Sequence, residues 1–442
     1  MTTSNLDPGD QVLADALDGI EKKLPMALEA PPRLKSETIA GKRRRRGQPP
    51  PSRLATVLLV RSDGVLRWIY QRPPSRMGPR RRSLRAARLV AATVVKEFSF
   101  MEVEPNQVVE QLVNLDRKLT PNQGMRRWEK GRLEKVNGAL GAGKALLFIH
   151  GTFSKSEVFF DELRATPEGR DFLDRAKSAY KHILTFDHPT LSVSPILNAF
   201  DLDEALGGFR GRLDIICHSR GGLVAAWWLR AGKRKVDRVI CVGSPLEGTS
   251  LAAPARLKQS LDYFSNAAGA ISTAARAVGA FVPPIAPIME MAAGLMAVIG
   301  GILTFGARTP LVDAGIAMVP GLVAQSRVSN NQELFRLHRE PWPSQPEIYA
   351  VRSDFEPGDP DVPIWQFWKR WNRPLLGIGD SLADRIFQVP NDLVVDDECM
   401  VRAGAPLPSA RIFSYPANDR VHHCNYFAQA DTAKKMRTWL EL

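Results

Sequence analysis

Cysteine is scarce in this chain, with four among 442 residues. Cys217, Cys241, Cys399 and Cys424 form no CxxC pair and no metal-ligand spacing, so neither a disulfide framework nor a bound metal is expected, and a reducing compartment fits best. The amino terminus, MTTSNLDPGD, lacks the basic and apolar regions of a secretory signal, so export by that route is not expected and a cytoplasmic location is. Apolar runs are short. MAAGLMAVIGGILTFGA (291–307) falls below the about 20 residues needed to span a bilayer and follows Pro283, Pro284 and Pro287. It reads foremost as a lid over a site, with buried core, partner contact or membrane insertion as alternatives.

Acidic residues are outnumbered, 47 against 60 Lys and Arg, and the net charge of +13 implies an anionic partner, either lipid surface or nucleic acid. No nucleic-acid recognition fold is visible, and aromatics do not interleave with the basic runs as stacking platforms would. An anionic membrane surface, contacted peripherally, is therefore the favoured partner and nucleic acid is not. With 44% apolar and 24% charged residues, the composition is that of a globular protein.

Residues 1–50, with the run from Lys42 to Arg46 and Pro49-Pro50-Pro51, read as a solvated basic arm. Residues 51–140 read as a small α+β extension. Asp63-Gly64 between LATVLLVRS and VLRWIYQRP marks a hairpin, further strand follows in ARLVAATVVKEFSFMEVE, and PNQVVEQLVNLDRKL (105–119) carries a helical apolar face. From 141 to 442, strands at 144–150, 182–187, 212–217, 237–243, 346–353 and 410–416 alternate with helices. That alternation predicts an α/β fold, a mostly parallel sheet with helices on both faces. Residues 250–325, rich in Ala, Gly, Pro and Met, read as a lid-like insertion. GALGAGKA (138–145) nearly matches a phosphate-binding loop, but Ala145 replaces the metal-binding hydroxyl and a strand follows where a helix should.

The chemistry lies in RLDIICHSRGGLVAAWWL (212–229), a strand, a serine among small residues, and an apolar helix. A nucleophile elbow needs small residues two before and two after the serine; Cys217 and Gly221 stand there. As Ser219 attacks a carbonyl, a negative oxygen develops that two preorganised backbone N–H groups must meet. Arg220 at the helix start supplies one. The loop after LLFIH supplies the other, from Thr152 or, second in order, Phe153. The proton of the serine requires a histidine, and the histidine a carboxylate. His422 and His423 lie in VHHCNYF, and Asp392, Asp396 and Asp397 in VPNDLVVDDECM, in the order serine, acid, histidine.

Together HGTF, DHPTLSVSPILNA, CHSRGG, GSPLEGTSLA, NDLVV and HHCNYF resemble a lipase-type α/β-hydrolase over about residues 144–442. The resemblance implies Asp392 as acid, His423 as base and Thr152 as oxyanion donor. Cys217 at the elbow and Leu393 after the acid depart from its pattern, which leaves Asp354, directly after a strand, as the alternative acid and His422 as the alternative base. The expected function is hydrolysis of a carboxylic ester, lipid-like, without cofactor or metal. The same triad also serves thioesters, amides and acyl transfer. The rival expectation is a non-catalytic hydrolase-like scaffold that docks through its basic region. His218 is expected to pack beside the elbow, Asp187 and His188 to hold a loop, and His422 to face solvent or support its loop.

Overall fold

The computed structural model describes residues 54–62, 65–71, 93–101, 108–231, 235–249, 252, 319–327, 331–339, 342, 346–355, 392, 394–418 and 420–442. The basic runs at 42–46 and 80–88, the apolar run 291–307 and most of the expected insertion lie outside these residues. Among the described residues, no helix is long and apolar enough to cross a membrane.

The chain divides into two units, residues 1–111 with 261–315, and residues 112–260 with 316–442. In the first, strands β1 (Leu54–Ser62), β2 (Val65–Gln71) and β3 (Thr93–Met101) form an antiparallel sheet in the order β2-β1-β3. Ser62 pairs with Val65, so the two-residue hairpin read from Asp63-Gly64 is the one that forms.

The second unit begins within helix α1 (Val108–Leu119) and continues through β4 (Gly124–Glu129), β5 (Arg132–Lys135), β6 (Lys144–Ile149), α2 (Glu157–Leu163), α3 (Pro167–Ala179) and β7 (His182–Asp187). It proceeds through α4 (Pro195–Ala205), β8 (Arg212–His218), α5 (Gly221–Ala231), β9 (Val236–Val242), α6 (Pro320–Val323) and α7 (Gln332–His338). It closes with β10 (Glu347–Phe355), β11 (Ile412–Asn418) and α8 (Ala430–Leu440). Eight strands line up as β11-β10-β9-β8-β6-β7-β4-β5. All neighbours are parallel except β4, which runs antiparallel to both β7 and β5. The fold is α/β, as the alternation of elements predicted. The β4–β5 hairpin lies upstream of residue 141 and still pairs into this sheet.

Both sheet faces are buried, and the central strands place apolar residues on each of them, as Ala145 to Ile149 of β6 and Leu213, Ile215, Ile216 and Cys217 of β8 do. In β6, Ala145, Leu147 and Ile149 pack with α4 and α5 residues such as Leu202, Val224 and Trp228. Leu146 and Phe148 turn the other way, onto Phe160 of α2, Phe172 of α3 and Met436 of α8. Each fully buried Leu or Phe contributes about 1.5–3 kcal/mol. The connection order reverses where β6 lies between β7 and β8, and open sheets of this kind keep ligand sites beyond the carboxyl ends of the strands at such a point. The loops after β6, β8 and β9 meet there.

Candidate active site

Ser219 directly follows β8 with a φ of 52°, a left-handed conformation that costs a non-glycine residue about 1–3 kcal/mol. Its N–H donates to the Val242 carbonyl (2.9 Å) and its carbonyl accepts from Gly222 N–H (2.9 Å), which pins the bend on both sides. The small residues are sterically required. A Cβ on Gly221 would lie 2.3 Å from the Ile149 carbonyl oxygen, and one on Gly151 would lie 2.6 Å from Ser219 Cβ. Cys217 pairs in register with Cys241, their sulfurs 3.5 Å apart, and both thiols are free and buried. A slim thiol is what the interior there accepts in place of glycine.

The carboxyl-terminal residues converge on the same edge. His423 Nδ1 lies 2.8 Å from Asp392 Oδ2, which also accepts from the Tyr426 hydroxyl at 2.9 Å. Asp392 Oδ1 accepts from the N–H groups of Val394 (3.1 Å) and Val395 (2.8 Å), and His423 N–H donates to the Asp392 carbonyl (2.9 Å). Burial works to raise the Asp392 carboxyl, but the His423 imidazole and these hydrogen bonds outweigh it and hold the group below the usual carboxylate range. An ionised carboxylate only accepts, so His423 carries its proton on Nδ1 and its lone pair on Nε2. Gly243, at a φ of 55°, lets the backbone after β9 approach this pair. A Cβ there would sit 3.1 Å from Asp392 Oδ2 and 3.2 Å from His423 Nδ1.

The other candidates have different partners. Asp396 lies 3.5 Å from Arg327, and Asp397 pairs with Arg352. Asp354 stands near the end of β10, where its carbonyl accepts from Asn418 Nδ2 at 3.1 Å. His422 is buried rather than solvent-facing, because its ring packs edge-on against Phe355 and its Nδ1 accepts from Cys424 N–H at 3.3 Å. Burial lowers its imidazole to about 4. His218 packs beside the elbow and donates through Nε2 to the His423 carbonyl (2.8 Å). Burial first, then the neighbouring His423 imidazole, lowers it to about 3.

The loop after β6 is oriented by two histidines. His188 N–H donates to His150 Nε2 (3.1 Å), so His150 carries its proton on Nδ1 and donates it to the Gly151 carbonyl at 2.8 Å. Carbonyl and N–H point in opposite directions across a trans peptide, so the Thr152 N–H faces away from the His150 ring. Phe153, at a φ of 55°, donates its N–H to Thr190 Oγ1 at 3.4 Å. Of the two expected donors in this loop, Phe153 has its N–H engaged. Asp187 accepts from Ser156 N–H at 2.9 Å, the loop-holding role expected of it. The Arg220 side chain is fully buried and donates to the Val193 carbonyl (2.6 Å) and Asn198 Oδ1 (2.8 Å). Burial lowers the guanidinium to about 10. Among the described residues, no three His, Cys, Asp or Glu side chains cluster as metal ligands.

Sequence reading missed Tyr426, Thr190 and Gln325, whose Nε2 donates to Thr152 Oγ1 at 3.0 Å. Tyr426 stood in the quoted NYF motif, and that was its only signal.

An α/β unit with a serine at a strained strand-to-helix bend is thus the class that fold and site define. Residues 115–441 match the family described as Domain of unknown function (DUF7379), and the chain belongs to that family. No curated protein matches the sequence. Among solved structures, the mature lipase BlEst2 of Bacillus licheniformis is similar at 15% identity and a TM-score of 0.35, over 70% of this chain and 95% of that one. A hydrolase from Oleispira antarctica is similar at 11% identity and a TM-score of 0.38, over 74% and 98%. Naproxen esterase from Bacillus subtilis is similar at 14% identity and a TM-score of 0.33, over 77% and 99%.

Proposed function

We propose that the protein is a lipase-like serine hydrolase that cleaves a carboxylic ester through an acyl-enzyme. The observation that carries this reading is the buried Asp392–His423 pair, with its imidazole tautomer set for base catalysis, at the sheet edge where Ser219 is held in a strained bend. Ser219 Oγ attacks the ester carbonyl as His423 Nε2 takes its proton, and the N–H groups of Thr152 and Arg220 receive the oxyanion. Collapse expels the alcohol, which takes the proton from His423. A water then attacks the acyl-enzyme with His423 again as base, releasing the acid and restoring Ser219. Asp392 holds the ring and stabilises its transient positive charge. The reaction needs no cofactor.

A lipid-like ester, which rests on the apolar run 291–307 and the lipase-type motifs, and a peripheral contact with an anionic membrane, which rests on the basic runs, complete the proposal. The test is turnover of p-nitrophenyl butyrate. Wild type should hydrolyse it, and Ser219→Ala should lose the activity while its Tm stays nearly unchanged, since the substitution removes only the hydroxyl oxygen. Wild type without esterase activity contradicts the proposal.

A further inference from the structure

Asp116, near the end of α1, is buried and takes no part in the chemistry above. Its carboxylate gathers the backbone of residues 190–192. Oδ1 accepts from the N–H groups of Thr190 (2.8 Å) and Leu191 (3.0 Å), and Oδ2 from Ser192 N–H (2.7 Å) and the Ser192 hydroxyl (2.6 Å). Three successive N–H groups aimed at one point make an anion-binding concavity, here filled by the chain's own carboxylate.

The Thr190 hydroxyl also faces Asp116 Oδ1, at 3.4 Å. A carboxylate accepts only, so the hydroxyl proton goes to Asp116 and the Thr190 oxygen turns its lone pairs to Phe153 N–H. That bond compensates Phe153 for its left-handed backbone and fixes the peptide between Thr152 and Phe153. The peptide on the other side of Thr152 is fixed by His150. The donor proposed for the oxyanion is therefore anchored at both flanking peptides, one of them through a relay that begins at Asp116.

We infer that Asp116 is a positioning residue for the oxyanion site, acting through Thr190, and that α1 is consequently a working part of the hydrolase. The inference rests on the serine hydrolase reading. It assigns a task to a segment that precedes every residue of the proposed triad by about a hundred positions or more.

The full-length protein with Thr190→Val tests it, because valine keeps the size and the backbone N–H and removes only the hydroxyl. We expect kcat for p-nitrophenyl butyrate to fall about 10- to 100-fold, less than the ~10²–10³ lost with an oxyanion donor itself, with KM changed less than about threefold. Thr190→Ser should restore kcat to within about threefold of wild type, which a packing role for the methyl group would not do. Asp116→Asn should lower kcat in the same direction, and if that variant fails to fold, the Thr190 pair decides alone. A folded Thr190→Val enzyme with wild-type kcat overturns the inference, as does a Thr190→Ser enzyme as slow as the valine variant. Wild type that neither turns over the ester nor reacts with a fluorophosphonate refutes the hydrolase reading instead, and the inference with it.

Discussion

Substituting Gly243 by alanine crowds the proposed acid–base pair without removing a polar group. The backbone there has a φ of 55°, and a left-handed conformation costs an alanine about 1–2 kcal/mol. The added methyl would lie 2.8 Å from Tyr426 Cε2, on a fully buried ring. To reach ordinary carbon–carbon contact the ring must withdraw by about 0.7 Å, and overpacking of this kind costs about 1–3 kcal/mol. Tyr426 holds Asp392, and Asp392 holds His423, so the ring's displacement is passed to the imidazole. A misplacement on the order of 1 Å can cost about 100-fold in rate, so kcat should fall about 10- to 100-fold. The assay is p-nitrophenyl butyrate turnover beside thermal unfolding. Gly404→Ala is the control: it has a φ of 75°, and its Cβ would lie 2.7 Å from Trp342 Cδ1. The control should lose comparable stability and keep its kcat. Equal kcat in Gly243→Ala and the control would refute the reasoning that the geometry of this pair limits turnover.

Acid should destabilise the fold well above the carboxylate range. His218 and His422 titrate near 6.5 in the unfolded chain and at about 3 and about 4 when folded, so between those values only the unfolded chain takes the proton. Stability is intact above 6.5 and falls with pH below it, by about 2 kcal/mol for each histidine at pH 5. Urea unfolding at pH 7 and pH 5 measures it, and equal midpoints would contradict it. Tyr426→Phe removes one hydrogen bond from the Asp392 carboxylate and should cost about 1–3 kcal/mol of stability. It should also move the acid limb of kcat/KM to higher pH; an unmoved limb would show that the hydroxyl does not hold the carboxyl down.

Much of the sheet was legible because its central strands are buried on both faces, and short segments with adjacent apolar residues, such as KALLFI and HILTFD, announce themselves. The β4–β5 hairpin did not. GMRRWE and RLEK are rich in Arg and Glu, and β5 is an edge strand whose side chains are largely exposed. The bend at Ser219 was legible from the small residues about it, and the pairing of Asp392 with His423 from the lipase-type motifs and their chain order. The expected order of Thr152 before Phe153, and of Asp392 before the other carboxylates, came from the motifs, whereas their local partners are visible only in the fold: Thr190 engages the Phe153 N–H, and arginines face Asp396 and Asp397. Asp116 had no pattern to reveal it. Most of its partners are backbone N–H groups more than seventy residues away, and backbone donors carry no residue-type signal.

The proposed chemistry depends most on Ser219 being a nucleophile. Reaction of the purified protein with a fluorophosphonate, followed by peptide mass mapping, tests that most directly. The adduct should fall on Ser219 and be absent from Ser219→Ala. An adduct elsewhere, or none on a folded wild-type protein, would contradict it.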